Sequence, residues 1–97
     1  MAIGLTEREL ALIRPVCRRV AGNARVILFG SRAMGTQRAN SDVDLAIDGE
    51  TSPLQAERLA AELEELPLPY RFDVVALRNV TNADLVAHIA RVGVDIE

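Results

Sequence analysis

Apolar residues near the start of the chain recur every three or four positions, which predicts an amphipathic helix. Thr6, followed three residues later by Glu9, is the capping-box pattern of a helix start. Pro15 falls inside this helix and lacks a backbone donor, so we expect a kink or a break near Ala11. The apolar positions that define the helix are Leu10, Ile13, Cys17 and Val20.

Two segments that follow have the pattern of β-strands. Residues 25–29 are a short apolar run that ends at Gly30, which is typical of a buried strand. Residues 42–47 alternate strictly between the two faces of a strand. One face carries Asp42, Asp44 and Ala46, and the other carries Val43, Leu45 and Ile47. We therefore expect this second strand to bury its aliphatic face and to present carboxylates on the other.

A second helix is predicted to begin after Ser52. Gln55 lies three residues later, which completes an S-x-x-Q capping box, and Pro53 occupies the first helical position. Charged residues face water on one side of this helix. Its inner stripe is Ala56, Leu59, Ala60, Leu63 and Leu66.

The last third of the chain predicts one more strand and one more helix. Residues 72–77 form the strand, in which Asp73 is the only charged residue. Thr81 or Asn82 caps the helix, and the tail, residues 94–97, is expected to pair briefly as an edge strand. The alternation of helices and strands predicts an α/β or α+β domain with a small sheet covered by helices.

Composition and charge exclude several classes of protein. The 97 residues predict a single domain over residues 1–97. A net charge of −3 argues against a general binder of nucleic acid or of an anionic membrane. All eleven cations are Arg, so chemistry that needs a Schiff-base or P-loop lysine is excluded. One cysteine, no apolar stretch of about 20 residues and no signal-peptide pattern lead us to expect a cytoplasmic protein.

The first candidate for chemistry is the pair Gly30-Ser31 at the end of the first predicted strand. A glycine there lets the backbone turn sharply and come close to a ligand. If Ser31 begins a short helix, its N–H groups and hydroxyl can face phosphate oxygens, and Arg32 and Arg38 can add charge-assisted contacts. Taken alone, the pair is a weak signal, because ordinary strand–helix turns with this sequence are common.

The second candidate is a set of three carboxylates. Asp42 and Asp44 leave the same face of their strand with Cα atoms about 6.6 Å apart, and a divalent cation between them relieves their repulsion. Hard carboxylate oxygens suit Mg²⁺. Asp73 can join the pair if its strand lies beside the segment 42–47. The alternative for each of these residues is a solvated acidic surface.

Together, three carboxylates and a phosphate-binding turn are suited to in-line displacement at the α-phosphate of a nucleotide. Asp73 would then be the general base or a metal ligand on the side of the attacking hydroxyl.

The motif Gly30-Ser31-x10-Asp42-x-Asp44 resembles the minimal nucleotidyltransferases of the DNA polymerase β-like superfamily. The resemblance extends over essentially the whole chain. It implies a small mixed sheet flanked by helices, with ATP and Mg²⁺ as cofactors. It also implies that Gly30, Ser31 and Arg32 bind the nucleotide. The implied catalytic and metal-binding residues are Asp42, Asp44 and Asp73.

A chain of this length is similar to the antitoxin of HEPN/MNT toxin–antitoxin pairs. Such antitoxins transfer AMP from ATP to a tyrosine of the HEPN ribonuclease toxin. The resemblance therefore implies a protein adenylyltransferase whose partner is a cognate HEPN-type toxin, with no direct contact to nucleic acid or membrane. A homo- or hetero-oligomer is compatible with this role. Two alternatives stay open: an antitoxin that acts by binding alone, and nucleotidyl transfer to a small hydroxylated molecule such as an antibiotic.

Two further side chains are predicted to have structural roles. His88 is expected to be a packing or boundary residue of the last helix, because the sequence offers no Cys/His partner for zinc. Tyr70 is expected to be exposed and available for contacts.

Overall fold

The computed structural model describes residues 3–96 and consists of helices and strands that alternate along the chain. The helices are α1 (Glu7–Ala21), α2 (Ser31–Met34), α3 (Pro53–Glu64) and α4 (Ala83–Val92), and a 3-10 turn spans Leu77–Asn79. The strands are β1 (Arg25–Phe29), β2 (Val43–Asp48), β3 (Phe72–Ala76) and β4 (Val94–Asp95).

The four strands form one mixed sheet in the order β3-β2-β1-β4. β1 pairs antiparallel with β2 and with β4, whereas β2 and β3 are parallel. The register sets Asp44 opposite Phe29 on one side and opposite Asp73 on the other. The predicted mixed α/β fold is confirmed. The edge strand predicted for residues 94–97 is observed at Val94–Asp95, and Glu97 lies outside the described residues.

The two faces of the sheet are covered differently. The larger core cluster joins α1 and α3 to the aliphatic face of the sheet, where Leu28, Val43, Leu45 and Ile47 are fully buried. A smaller cluster on the other face consists of Ile27, Phe29, Ala46 and, from α4, Ile89. The alternation predicted for β2 is therefore confirmed, and the carboxylate face is the one that α4 covers.

Helix α1 runs without a break through Pro15, so the break predicted as one outcome near Ala11 is wrong. Proline leaves the carbonyl of Ala11 without its helical donor, but both residues are exposed, and water can bond that carbonyl. The predicted capping box is confirmed: Thr6 N–H donates to Glu9 Oε1 (2.9 Å), and Glu9 N–H donates to Thr6 Oγ1 (3.1 Å).

The capping box predicted for α3 is only half formed. Gln55 N–H donates to Ser52 Oγ (3.2 Å) as expected. The Gln55 side chain does not return to the Ser52 backbone. Its Nε2 donates to the carbonyl of Val20 (2.6 Å), and its Oε1 accepts from the Thr51 hydroxyl (2.9 Å). This side chain thus ties the start of α3 to the end of α1. The cap of α4 is Asn82.

Within residues 3–96, no helix is long and apolar enough to cross a membrane.

Candidate active site

The candidate site is built around Asp44, in the middle of the sheet. Asp73 is its register partner on β3, so the two carboxylate-bearing residues are neighbours on adjacent parallel strands. The alternating pattern had predicted that Asp42 lies on the strand. In the structure it lies one residue before β2 begins. Asp44 is half-buried, whereas Asp42 and Asp73 are exposed. The structure therefore brings the three aspartates to the same end of β2 and β3.

The environment of Asp44 favours its protonated form. Burial, followed by the negative charges of Asp73 and Asp42, raises the pKa of Asp44 from 3.8 to about 6, and the charge of His88 acts in the opposite direction. A half-buried carboxylate beside two others is unfavourable unless a proton or a cation neutralises it. Bound positive charge would therefore stabilise this end of the sheet.

Gly30 and Asp44 touch across the pair β1–β2. Gly30 has a φ of +74°, in the region that favours glycine. A Cβ built on Gly30 would overlap Oδ2 of Asp44 and would lie 3.1 Å from its Cγ. Glycine is thus needed here for two reasons, its backbone conformation and the space that the carboxylate occupies. The turn after β1 is consequently in direct contact with the carboxylate group.

Ser31 begins α2, the short helix expected from the sequence, which ends at Gly35. The N–H groups in the first turn of a helix have no partner within that helix. Those of Ser31 and Arg32 follow Gly30 directly, beside Asp44. The turn therefore offers backbone donors next to a carboxylate cluster, which is the arrangement expected where a metal-bound phosphate group is held.

In the structure the Arg32 guanidinium bonds backbone carbonyls, whereas the sequence predicted a contact with phosphate. Arg32 is only 3% exposed, and its guanidinium donates to backbone carbonyls of Gly4 (Nη1, 2.6 Å) and Ser41 (Nε, 3.2 Å; Nη2, 3.0 Å). These contacts join α2 to the chain segment that leads into Asp42. A contact between Arg32 and nucleotide stays a prediction.

His88 lies closer to the candidate site than the sequence indicated. Its ring packs edge-on against Phe29, with centroids 6.3 Å apart and planes at 82°. Phe29 is the register partner of Asp44, and the charge of His88 lowers the pKa of Asp44. The packing role predicted for His88 is compatible with this position. Its proximity to the carboxylates depends on how α4 crosses the sheet, for which the sequence contains no local signal.

The three aspartates suit a divalent cation by their chemistry. Among residues 3–96, no three His, Cys, Asp or Glu side chains are already arranged as a metal cluster. However, Asp44 is electrostatically coupled to both Asp42 and Asp73, and all three offer the hard oxygen ligands that Mg²⁺ prefers.

The chain matches the family described as "Polymerase beta, Nucleotidyltransferase" over residues 13–96. It therefore belongs to this nucleotidyltransferase family, and the resemblance found in the sequence is confirmed. Over 76 residues it is 33% identical to the "Probable protein adenylyltransferase MntA" of Haemophilus influenzae. That match covers 75% of this chain but 66% of the relative, slightly less than two thirds of its length.

Solved structures of toxin–antitoxin complexes contain similar chains. One, a complex with AMP-PNP, matches with a TM-score of 0.75 and 27% identity over 96% of this chain and 73% of that chain. Another, a tri-AMPylated Shewanella oneidensis HEPN toxin in complex with an MNT antitoxin, matches with a TM-score of 0.72. Identity in that case is 20%, over 96% of this chain and 72% of that chain, so it shows the shared fold alone.

Proposed function

We propose that this chain is an ATP- and Mg²⁺-dependent protein adenylyltransferase that acts as a cytoplasmic antitoxin. The observation that carries the proposal is the position of Asp44, which contacts the Gly30 turn on one side and pairs in register with Asp73 on the other. A nucleotidyl-transfer site needs both a phosphate cradle and a group of carboxylates. In this chain the two are adjacent.

The proposed reaction is displacement at the α-phosphorus of ATP. The acceptor hydroxyl oxygen forms a bond to that phosphorus, the bond to the oxygen that bridges to the β-phosphate breaks, and pyrophosphate leaves. Asp73 takes the proton of the acceptor hydroxyl, a role that suits an exposed carboxylate at the edge strand. Gly30 and Ser31 hold the triphosphate through backbone N–H groups and the serine hydroxyl.

Asp42, Asp44 and Asp73 are the residues that would hold magnesium. When bound, the ion supplies positive charge to the phosphate oxygens and lowers the pKa of the attacking hydroxyl. The raised pKa of Asp44 supports this assignment, because a cation would relieve the repulsion that raises it.

The proposed acceptor is a tyrosine hydroxyl of a cognate HEPN-type toxin. Two similarities support a protein acceptor: the Haemophilus influenzae relative is named as a protein adenylyltransferase, and a similar chain occurs in a toxin–antitoxin complex with AMP-PNP. The acidic net charge of −3 favours a protein over a nucleic acid as the direct partner. The proposed assembly is thus a hetero-oligomer of antitoxin and toxin.

The test is transfer of label from α-³²P-ATP to the proposed HEPN-type partner. Asp42→Asn with Asp44→Asn should abolish labelling and leave the complex intact, because neither change removes an apolar contact. Asp48→Asn is the matched control: it lies on β2 at the opposite end from the site, in a salt bridge with Arg25 (3.2 Å), and should label normally. Labelling by the double variant would refute the catalytic assignment.

The same variants separate the alternatives. Protection of cells by the Asp42→Asn/Asp44→Asn variant would indicate an antitoxin that acts by binding alone. Antibiotic resistance conferred by the unaltered chain without a toxin would instead indicate a small hydroxylated acceptor.

A further inference from the structure

Asp42 is held by a loop and not by the sheet. The ladder between β2 and β3 begins at Val43, whose N–H donates to the carbonyl of Arg71 (2.9 Å). Asp42 is the last residue of the segment 36–42, which we call the Asp42 loop. If Asp42 acts together with Asp44 and Asp73, something must fix this loop relative to the strands.

The Asp42 loop is tightened by a local turn. Ser41 N–H donates to the carbonyl of Arg38 (3.0 Å), and Arg38 N–H donates to Ser41 Oγ (2.8 Å). The turn ends with the Ser41 carbonyl, which belongs to the peptide bond that precedes Asp42. That carbonyl receives two donors from one side chain, Nε and Nη2 of Arg32. Arg32 thus anchors the loop at the residue next to Asp42.

Arg32 also fixes the loop to the start of the chain. Its Nη1 donates to the Gly4 carbonyl, and Gly4 N–H donates back to the Arg32 carbonyl (2.7 Å). The bonds to the Gly4 and Ser41 carbonyls come from one planar guanidinium with several donors in fixed directions, which lysine cannot reproduce with a single ammonium. The interaction therefore requires arginine specifically and not merely a positive charge.

The ring of Tyr70 packs against the face of the Arg32 guanidinium. The guanidinium carbon lies 4.1 Å from the centroid of the Tyr70 ring, a cation–π contact. The Tyr70 hydroxyl donates to Glu9 Oε2, while the other oxygen of Glu9 closes the cap of α1. The bond to Glu9 raises the pKa of Tyr70, so the phenol stays a donor. Tyr70 is half-buried, in contrast to the exposed position expected from the sequence.

The contacts of Arg32 join the two segments that lead into Asp42 and Asp73. Tyr70 lies in the chain three residues before Asp73, and Ser41 lies one residue before Asp42. Arg32 contacts both Tyr70 and Ser41 and follows Gly30-Ser31 directly. A single side chain therefore links the nucleotide turn, the Asp42 loop and the segment that leads into β3.

We propose that Arg32 is a positioning residue that holds Asp42 in place for metal binding, with Tyr70 keeping its guanidinium in position. This inference rests on the proposed function in that the metal it concerns is the one the reaction needs. Arg32 itself then acts through backbone carbonyls and has no need to contact nucleotide.

Direct binding of Mn²⁺ tests the proposal without relying on enzymatic activity. It can be measured from the electron paramagnetic resonance signal of free Mn²⁺ or by calorimetry. Arg32→Lys should weaken Mn²⁺ binding about tenfold, which is about 1.4 kcal/mol. Val26→Ala is the control for general destabilisation, because Val26 is buried in the core and pairs in register with Ile47, at the end of β2 opposite Asp44. It should lower the melting temperature and leave the Mn²⁺ affinity within about twofold.

A double-mutant cycle shows whether Arg32 acts through Asp42. If it does, Arg32→Lys combined with Asp42→Asn should bind Mn²⁺ no more weakly than Asp42→Asn alone. Additive losses, or an unchanged affinity in folded Arg32→Lys, would overturn the proposal. Amide hydrogen exchange supplies a second readout: Arg32→Lys should speed exchange in residues 39–43 and leave β1 unchanged.

Tyr70 variants keep the proposal testable if Arg32→Lys does not fold. Tyr70→Leu removes the ring and should weaken Mn²⁺ binding about threefold or more, whereas Tyr70→Phe keeps the ring over Arg32 and should bind Mn²⁺ nearly as well as the unaltered chain. Equal affinities for the Leu and Phe variants would contradict the role of Tyr70. Mn²⁺ binding without AMP transfer to the toxin would refute the proposed function and leave this inference standing.

Discussion

Asp44 packs directly over Gly30, so closely that a Cβ on Gly30 would occupy the space of the carboxylate oxygen. This contact fixes the distance between the turn after β1 and the carboxylates of β2 and β3. It also explains in physical terms why the motif begins with glycine: the residue must combine a φ of +74° with the absence of a side chain.

Gly30→Ala is therefore expected to damage both stability and function. Backbone strain of about 1–2 kcal/mol and overpacking of about 1–3 kcal/mol predict a loss of roughly 2–5 kcal/mol in the free energy of unfolding. AMP transfer should fall at least tenfold even at temperatures where the variant is folded. Denaturant unfolding and the labelling assay measure the two effects.

Gly22→Ala is the matched control for this change. Gly22 has a similar φ of +62°, but a Cβ there would meet nothing within 4 Å. It should lose only the strain of about 1–2 kcal/mol and retain full AMP transfer. Equal losses of activity in the two variants would contradict a specific role for the contact between Gly30 and Asp44.

The raised pKa of Asp44 predicts how metal-free stability depends on pH. The pKa is about 6 in the folded chain against 3.8 in the ordinary case, so the folded state binds the proton more tightly. The stabilisation of the folded chain by protonated Asp44 is fully present below about pH 3.8 and is lost as pH rises through about 6. Asp44→Asn replaces the carboxylate, which at pH 8 is ionised and repelled by Asp73 and Asp42, with a neutral amide. Its melting temperature in EDTA should therefore exceed that of the unaltered chain at pH 8.

Melting curves between pH 4 and pH 8 measure this difference. A change of about 1 kcal/mol corresponds to a shift of roughly 4–8 °C for a domain of this size. The difference between the two proteins should shrink as pH falls towards 4, and Mg²⁺ should raise the melting temperature of the unaltered chain only. A pH-independent difference would contradict the assignment of Asp44 as a repelled carboxylate.

Pro15→Ala is expected to stabilise the chain. Proline in a helix interior is about 3 kcal/mol less favourable than alanine. Against this, a proline stabilises a protein by about 0.4–1 kcal/mol because it restricts the unfolded chain. Because Pro15 is exposed, the replacement also costs no core packing. We expect a gain of about 1–3 kcal/mol by denaturant unfolding, with AMP transfer unchanged. A less stable variant would indicate that Pro15 contributes packing that its exposure conceals.

Local sequence patterns predicted most of the helices and strands, because these depend on short-range periodicity and spacing. The alternation in β2 was enough to separate the buried face from the carboxylate face. The motif from Gly30 to Asp44 was enough to indicate the family. The contact between Gly30 and Asp44 and the pairing of Asp44 with Asp73 depend on strand order, which the motif implied only through the resemblance.

What the sequence did not reveal depends on tertiary contacts. Nothing local indicated that carbonyls of Gly4 and Ser41 would accept hydrogen bonds from the Arg32 guanidinium, for which the sequence predicts a contact with phosphate. Tyr70 looked exposed, because its partner Glu9 is 61 residues away in the chain. Pro15 was expected to interrupt α1, but it lies on the side of the helix that faces water, where solvent can bond the carbonyl that loses its helical donor.

Asp73→Asn separates the proposed base from the rest of the site. Asp73 is exposed, so its replacement should leave the free energy of unfolding within about 0.5 kcal/mol. Loss of the base should slow AMP transfer by about 10²–10⁴-fold. Asp84→Asn, an exposed change in the first turn of α4, is the control and should transfer AMP at the normal rate.

The most direct test is the intact mass of the toxin purified from cells that also express this chain. With the unaltered chain, the toxin should be heavier by one or more AMP groups, which map to tyrosine. With Asp73→Asn or with Asp42→Asn/Asp44→Asn, the toxin should be unmodified and should still co-purify with this chain. A toxin that carries no AMP beside the unaltered chain, or equal AMP beside the variants, would contradict the claim that these three aspartates catalyse adenylyl transfer.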